Sequence, residues 1–235
     1  MTERLHTLAS FDTDLFTLRT GVLAMIDLAD RQFRNAIEAL RANDLALAAD
    51  VMAGEREMNA MHLGLDEACA RVIARHQPTA VDLREVVAVL HSIGDLERIG
   101  DEAKKIAGKV HELGRIAPVL IARVGSMATM ASTMIQRAGD AYRHRDPSVA
   151  TVLHALDDRV DAERDSLVLD MTRDIELGGA GAGGGSAASL LAMILVVQSV
   201  ERVADHAEDL AEYVVSVAVG VDARHGNLPG TSRRA

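Results

Sequence analysis

Residues 95–107 read Asp-Leu-Glu-Arg-Ile-Gly-Asp-Glu-Ala-Lys-Lys-Ile-Ala, and residues 199–211 read Ser-Val-Glu-Arg-Val-Ala-Asp-His-Ala-Glu-Asp-Leu-Ala. Glu97, Arg98, Asp101, Ala103 and Ala107 return as Glu201, Arg202, Asp205, Ala207 and Ala211 at a constant offset. Ile99 and Ile106 return as Val203 and Leu210, so apolar positions repeat together with acidic ones. An echo at this spacing in a chain of 235 residues predicts two copies of one module, each carrying a Glu-x-x-x-Asp pair. The boundaries implied are residues 1–115 for the first copy, 116–221 for the second and a polar tail over 222–235. The tail, with Gly226, Pro229 and Gly230, is expected to be disordered.

Outward from the echo, the chain keeps apolar residues at helical spacing and shows no strand-like alternation. Leu96, Ile99, Ala103, Ile106, Val110 and Leu113 form one stripe; Val196, Val200, Val203, Ala207, Leu210, Val214 and Val217 form the other. Breaks fall at Asn43-Asp44, Gln77-Pro78-Thr79, Gly114 to Pro118, Asp146-Pro147 and the glycine-rich stretch Gly178 to Ser186. Thr79 with Asp82 resembles a capping box, and Asp146 precedes a proline suited to a first helical turn. Six helices follow, near 10–42, 45–76, 80–113, 118–144, 147–177 and 187–219. The fold predicted is all-α, two pseudo-symmetric three-helix antiparallel bundles.

Composition excludes several classes. Hydrophobic residues make up 49% and aromatics only 2%, with no Trp, which indicates an aliphatic helical core. The net charge of −10 is shared equally by the two halves and argues against nucleic acid, whose phosphates require basic clusters. A single cysteine, Cys69, excludes an internal disulfide and suits a reducing compartment; its neighbours suggest a packed, unreactive thiol. No secretory h-region opens the chain, and the apolar run from Ala187 to Val197 is shorter than the ~20 residues of a membrane span. A cytoplasmic protein is expected. The glycine-rich stretch lacks the Lys-Ser/Thr of a phosphate loop and reads as a connector.

The acidic pairs are the candidate chemistry. Glu97 and Asp101 lie one turn apart, as do Glu201 and Asp205, away from the apolar stripes. Asp157 and Asp161 form a further pair one helix earlier, and Glu55 and Asn59 stand at the matching place in the first half. Two adjacent helices of each bundle therefore offer oxygen ligands suited to hard cations, or to iron when several carboxylates bridge. Solvated helix faces account for such carboxylates too, because like charges at i and i+4 cost only about 0.2–0.5 kcal/mol. Asp101 could equally pair with Lys105. Inward Glu-x-x-His motifs of a diiron enzyme are missing apart from Glu3-x-x-His6; His91, His111, His144 and His154 are scattered and read as surface or satisfied side chains.

These residues together resemble the PhoU family, regulators of bacterial phosphate uptake. The resemblance rests on residues 66–78, on Thr79 to Arg84 followed by Asp95 to Asp101, and on His6 through Arg19, Met25 and Ala36 to Leu40. It runs over about residues 5–220, more loosely in the second half. It implies a six-helix homodimer without catalytic activity. It also implies metal ions (Fe, Zn, Mn or Mg) bound by Glu55, Glu97 and Asp101 in the first bundle and by Asp157, Asp161, Glu201 and Asp205 in the second. The implied function is negative regulation of the phosphate-starvation response, through the ATPase of the phosphate ABC transporter and a sensor histidine kinase. Asn59, His62, Ala204 and His206 depart from the family pattern, so the first site is expected to be weaker or to prefer a softer metal. A carboxylate-bridged metalloenzyme and a metal-free helical adaptor are the alternatives.

Overall fold

The computed structural model describes residues 2–114, 116–178 and 184–219, with side chains from Ser10 onward. The expected tail over 222–235 and most of the glycine-rich connector lie outside the described residues. Seven α-helices follow in order: α1 (Thr2–Ala42), α2 (Leu45–Ala53), α3 (Glu55–His76), α4 (Ala80–Lys109), α5 (Pro118–His144), α6 (Val149–Glu176) and α7 (Ala187–Val219). A 3-10 turn, Val110–Glu112, extends α4.

The breaks fall where the sequence punctuates. Asn43 takes the left-handed conformation with φ 52°, and Asp44 accepts hydrogen bonds from the amides of Ala46 (2.9 Å) and Leu47 (3.0 Å), capping α2. Thr79 starts α4 with extended backbone but its side chain makes no capping bond, so no capping box forms there. Asp146 accepts from the Ser148 amide at 2.9 Å and caps a turn, which places the start of α6 at Val149. The second predicted helix differs most: it is bent at Gly54 into α2 and α3. Gln32 on α1 causes the bend to persist. Its side-chain amide donates to the Gly54 carbonyl at 2.9 Å, and a Cβ at Gly54 would lie 2.8 Å from that nitrogen. Only glycine allows the approach.

Packing joins the halves more closely than two separate bundles would. The predicted inward stripes are buried except for the half-buried Leu113 and Val217 at their ends, yet α4 also buries Ser92, Asp95 and Glu102, and α7 buries Ser199. These extra faces meet one another. His91 stacks on Tyr213, Asp95 meets His206 and Glu102 meets Arg202, so α4 and α7 run antiparallel. One core extends from Leu15 to Val214 through both repeats. Cys69 is fully buried within it, and burial, with Asp66 nearby, pushes its thiol up to about 12. Helices α5 and α7 are long and apolar enough to cross a bilayer by composition, but 44% and 56% of their most apolar windows are buried by the protein itself, as in core helices.

Ile99, with no exposed surface, lies on the α7-facing side of α4. Ile99→Ala should therefore lower stability by about 2–5 kcal/mol in urea denaturation. Val87→Ala on the same helix, where the side chain is exposed, should cost under about 0.5 kcal/mol.

Candidate functional site

Helical periodicity decides where the acidic pairs go. With Asp95, Ile99, Glu102 and Ile106 turned toward α7, the 100° step sends Glu97 and Asp101 to the opposite side, toward α3. The same holds for Glu201 and Asp205 on α7, which face α6. Each pair thus meets the acidic helix beside it, and two half-buried grooves result, one in each repeat.

In the second groove Asp157 and Asp161 of α6 face Glu201 and Asp205 of α7. Burial pushes the Asp157 carboxyl up to about 7, reinforced by Glu208, Asp205 and Asp161, with His154 opposing. Asp205 lies at the solvent-exposed rim, but loss of water against the helix walls, then Glu201 and Asp161, raise it to about 6. Among the described residues, two basic side chains reach these carboxylates. Arg164 bonds Glu201, lies 3.3 Å from Asp161 Oδ1 and bonds Asp165 at 3.0 Å; His154 Nδ1 pairs with Glu208 at 2.9 Å. Asp157 Oδ1 is buried without a partner among the described residues, whereas Asp161 Oδ1 makes no well-aligned hydrogen bond and has only its ion pair with Arg164. Buried carboxylate oxygens normally have partners. An all-oxygen set with surplus negative charge and one unpartnered oxygen, on Asp157, is the donor chemistry that hard cations take.

The first groove brings Glu55, Glu97 and Asp101 together, but most of its charge is answered. Lys104 pairs with Glu55, and His62 Nδ1 lies 2.7 Å from Glu97 Oε2. Asp101 is raised above the ordinary carboxylate range, first by burial and then by Glu97, while Lys105 and Lys104 oppose. Lys105 does not pair with Asp101 as the i+4 spacing allowed; it bonds Glu102 at 2.7 Å instead. Asn59 stands where Asp161 supplies a carboxylate in the second repeat. This groove fits a cation less well, and its imidazole gives it a softer donor.

Sequence reasoning missed a third polar cluster, between the repeats. Asp95 is buried, bonds Arg98 at 3.1 Å and accepts from the Tyr213 hydroxyl at 2.8 Å. His206 Nδ1 lies 3.2 Å from Asp95 and 3.9 Å from Asp209. Burial opposes the imidazolium charge, yet the two carboxylates outweigh it and push His206 up to about 9. The spacing of Asp95, His206 and Asp209 could hold an ion. Both Asp95 oxygens are already engaged by protein donors, so the cluster acts as a clasp joining α4 to α7. Its signal in the sequence was available: Asp95 and Glu102 share the face of Ile99 and Ile106, where a free-standing bundle would place apolar residues.

A second polar convergence involves Glu85, buried and held by Arg19 and by Arg145 at 3.0 Å beside Tyr142 and Tyr213. Left-handed backbone at Arg145, φ 54°, turns its side chain back onto α4. Glu85 is fully answered and joins α1, α4 and the end of α5.

Comparison with known proteins agrees with this architecture. A family model described as the PhoU domain matches twice, over residues 22–110 and 124–214. The phosphate-specific transport system accessory protein PhoU of Serratia marcescens is 33% identical over 222 residues, spanning 94% of this chain and 89% of its own length. The protein of the same name from Escherichia coli (strain K12) is 32% identical, spanning 94% and 90%. A crystal structure of PhoU from Pseudomonas aeruginosa has a TM-score of 0.78 at 32% identity, covering 90% of this chain and 100% of that one. A phosphate transport system regulatory protein PhoU from Streptococcus pneumoniae shares the fold, with a TM-score of 0.82 at 23% identity, covering 90% and 98%.

The crowded second groove sets a pH dependence. Asp157 and Asp205 hold their protons more tightly folded than unfolded, where Asp titrates near about 3.9. The stability they contribute is complete below that value and is lost as pH rises through about 6 and about 7. The melting temperature of chelator-treated protein should fall between pH ~4 and ~7, and Asp157→Asn should flatten the upper part of that fall.

Proposed function

The chain belongs to the PhoU family, and from that premise we propose that it is a metal-binding regulatory adaptor of phosphate uptake. In this reading it is a cytoplasmic homodimer that contacts the ATPase of the phosphate ABC transporter and a sensor histidine kinase. It holds the phosphate-starvation response off when phosphate is plentiful. The role in phosphate transport rests on family membership; relatives carry the names accessory protein and regulatory protein. No catalytic step is assigned to it.

The metal part rests on one observation: the Asp157 Oδ1 atom, buried without a partner among the described residues, in a groove whose carboxylates outnumber the cations that reach them. Asp157, Asp161, Glu201 and Asp205 would hold a hard dication such as Mg²⁺ or Mn²⁺, or bridge iron. Glu55, Glu97 and Asp101, with His62 beside them, would hold a softer ion such as Zn²⁺ or iron more weakly. A bound cation would supply charge that ties the two helices of a groove together. The helices themselves place the oxygens and exclude water from one side.

Two measurements test the reading. Deleting the gene should raise expression from a phosphate-starvation reporter in phosphate-replete medium; an unchanged reporter with transport intact would refute the regulatory role. Metal retained through purification without chelator should fall further in Asp205→Asn than in Asp101→Asn, because the second groove has more carboxylates and fewer answered ones. Helicity should be unchanged in both variants, as is usual for substitutions at solvent-reachable positions. Equal losses in the two would contradict the ranking of the grooves.

A further inference from the structure

Arg164 occupies the place in the second groove where a bridging cation would act. Its guanidinium bonds Glu201 on α7, lies 3.3 Å from Asp161 Oδ1 on α6 and bonds Asp165 at 3.0 Å. It therefore ties together one carboxylate from each wall. The side chain is largely enclosed, with 26% of its surface exposed. Asp157 and Asp205 lie beyond its reach, and they carry the groove's raised carboxyls.

The repeat gives this residue a counterpart. At the offset that relates Glu55 to Asp157 and Asn59 to Asp161, His62 corresponds to Arg164. Each reaches the glutamate of its motif, His62 to Glu97 and Arg164 to Glu201. The two side chains differ in what they can do next. A neutral imidazole has a lone pair and can become a ligand. A guanidinium keeps its proton and offers donors only, so it cannot coordinate a metal and must compete with one.

We infer that Arg164 is a built-in counterion that occupies the second groove in the metal-free state and is displaced when a dication binds. This rests on the metal-binding reading above and adds a determinant of its affinity. Arg164 neutralises part of the carboxylate repulsion, so the metal-free groove stays folded. A dication that bridges α6 and α7 must recruit Glu201 and Asp161, the two groups Arg164 engages across the groove. Each metal ion therefore binds at the expense of these ion pairs, which sets affinity lower than four free carboxylates would give. The first groove has no such obligate competitor at this position, since His62 can change from partner to ligand.

The test is calorimetric titration of Mn²⁺ into chelator-treated full-length protein, with melting curves alongside. Arg164→Gln should bind Mn²⁺ roughly tenfold more tightly, because ligand charge tunes the affinity of oxygen sites over decades. Its metal-free form should melt lower than wild type, so the rise in melting temperature on adding Mn²⁺ should be larger. Arg164→Lys, which keeps the charge, should stay close to wild type, and adding Asp205→Asn to Arg164→Gln should abolish the gain. Binding by Arg164→Gln alone, with none by wild type, would also support displacement. Equal or weaker binding by Arg164→Gln than by wild type would overturn it: Arg164 would then position the ligands, and the metal reading would stand. No Mn²⁺ binding by either protein would remove the metal reading, and this inference with it.

Discussion

Everything in this fold depends on the antiparallel contact between α4 and α7. Each of these helices is the last helix of its own repeat and also the neighbour of its counterpart. Each therefore buries two faces, which is why the small Ser92 and Ser199 appear where a free-standing bundle would tolerate large or charged side chains. Small residues let the helices approach. The polar ones that remain are held by partners across the interface, as Asp95 is by His206 and Tyr213. With those two faces committed, the Glu-x-x-x-Asp pairs have one direction left, toward α3 in one repeat and α6 in the other. The grooves are a consequence of the contact.

Duplication then made two frames, and side-chain replacement gave them different electrostatics. Lys104 stands where the second repeat has Glu208, Asn59 where it has Asp161, and His62 where it has Arg164. The first change inverts a charge, the second removes one, and the third exchanges a titratable base for a permanent cation. The first groove is thereby nearly neutralised by the protein's own side chains. In the second, carboxylates press on one another, and protonation or a cation relieves them. The same backbone supports both arrangements.

Much of this was legible in the sequence, for reasons tied to particular residues. Helix type and most boundaries followed from Asn43-Asp44, Pro78 and Pro118, because capping and proline chemistry are local. The pairing of Asp157 and Asp161 with Glu201 and Asp205 followed from the echo, since a repeated spacing carries spatial information that a single pair does not. The bend at Gly54 was hidden, because it is set by Gln32, remote in sequence. The clasp left a partial signal, since Asp95 and Glu102 fall on the face of Ile99 and Ile106, but a one-dimensional pattern does not say which helix that face meets. Lys104 and Arg164 were overlooked because periodicity locates a side chain on a helix but not the partner it reaches, as Lys105 illustrates by choosing Glu102.

The burial of Cys69 has a kinetic meaning. With its sulfur fully enclosed in the core and its thiol held near 12, it is inert to thiol reagents while α3 stays seated. It becomes reactive each time α3 lifts away. A chain with one cysteine thus carries a chemical clock in its first repeat and none in its second. If the continuous core makes the repeats open together, that clock runs at the rate of global unfolding; if they separate, it runs faster. The consumption of a single thiol therefore measures how far a duplicated protein has become one cooperative body.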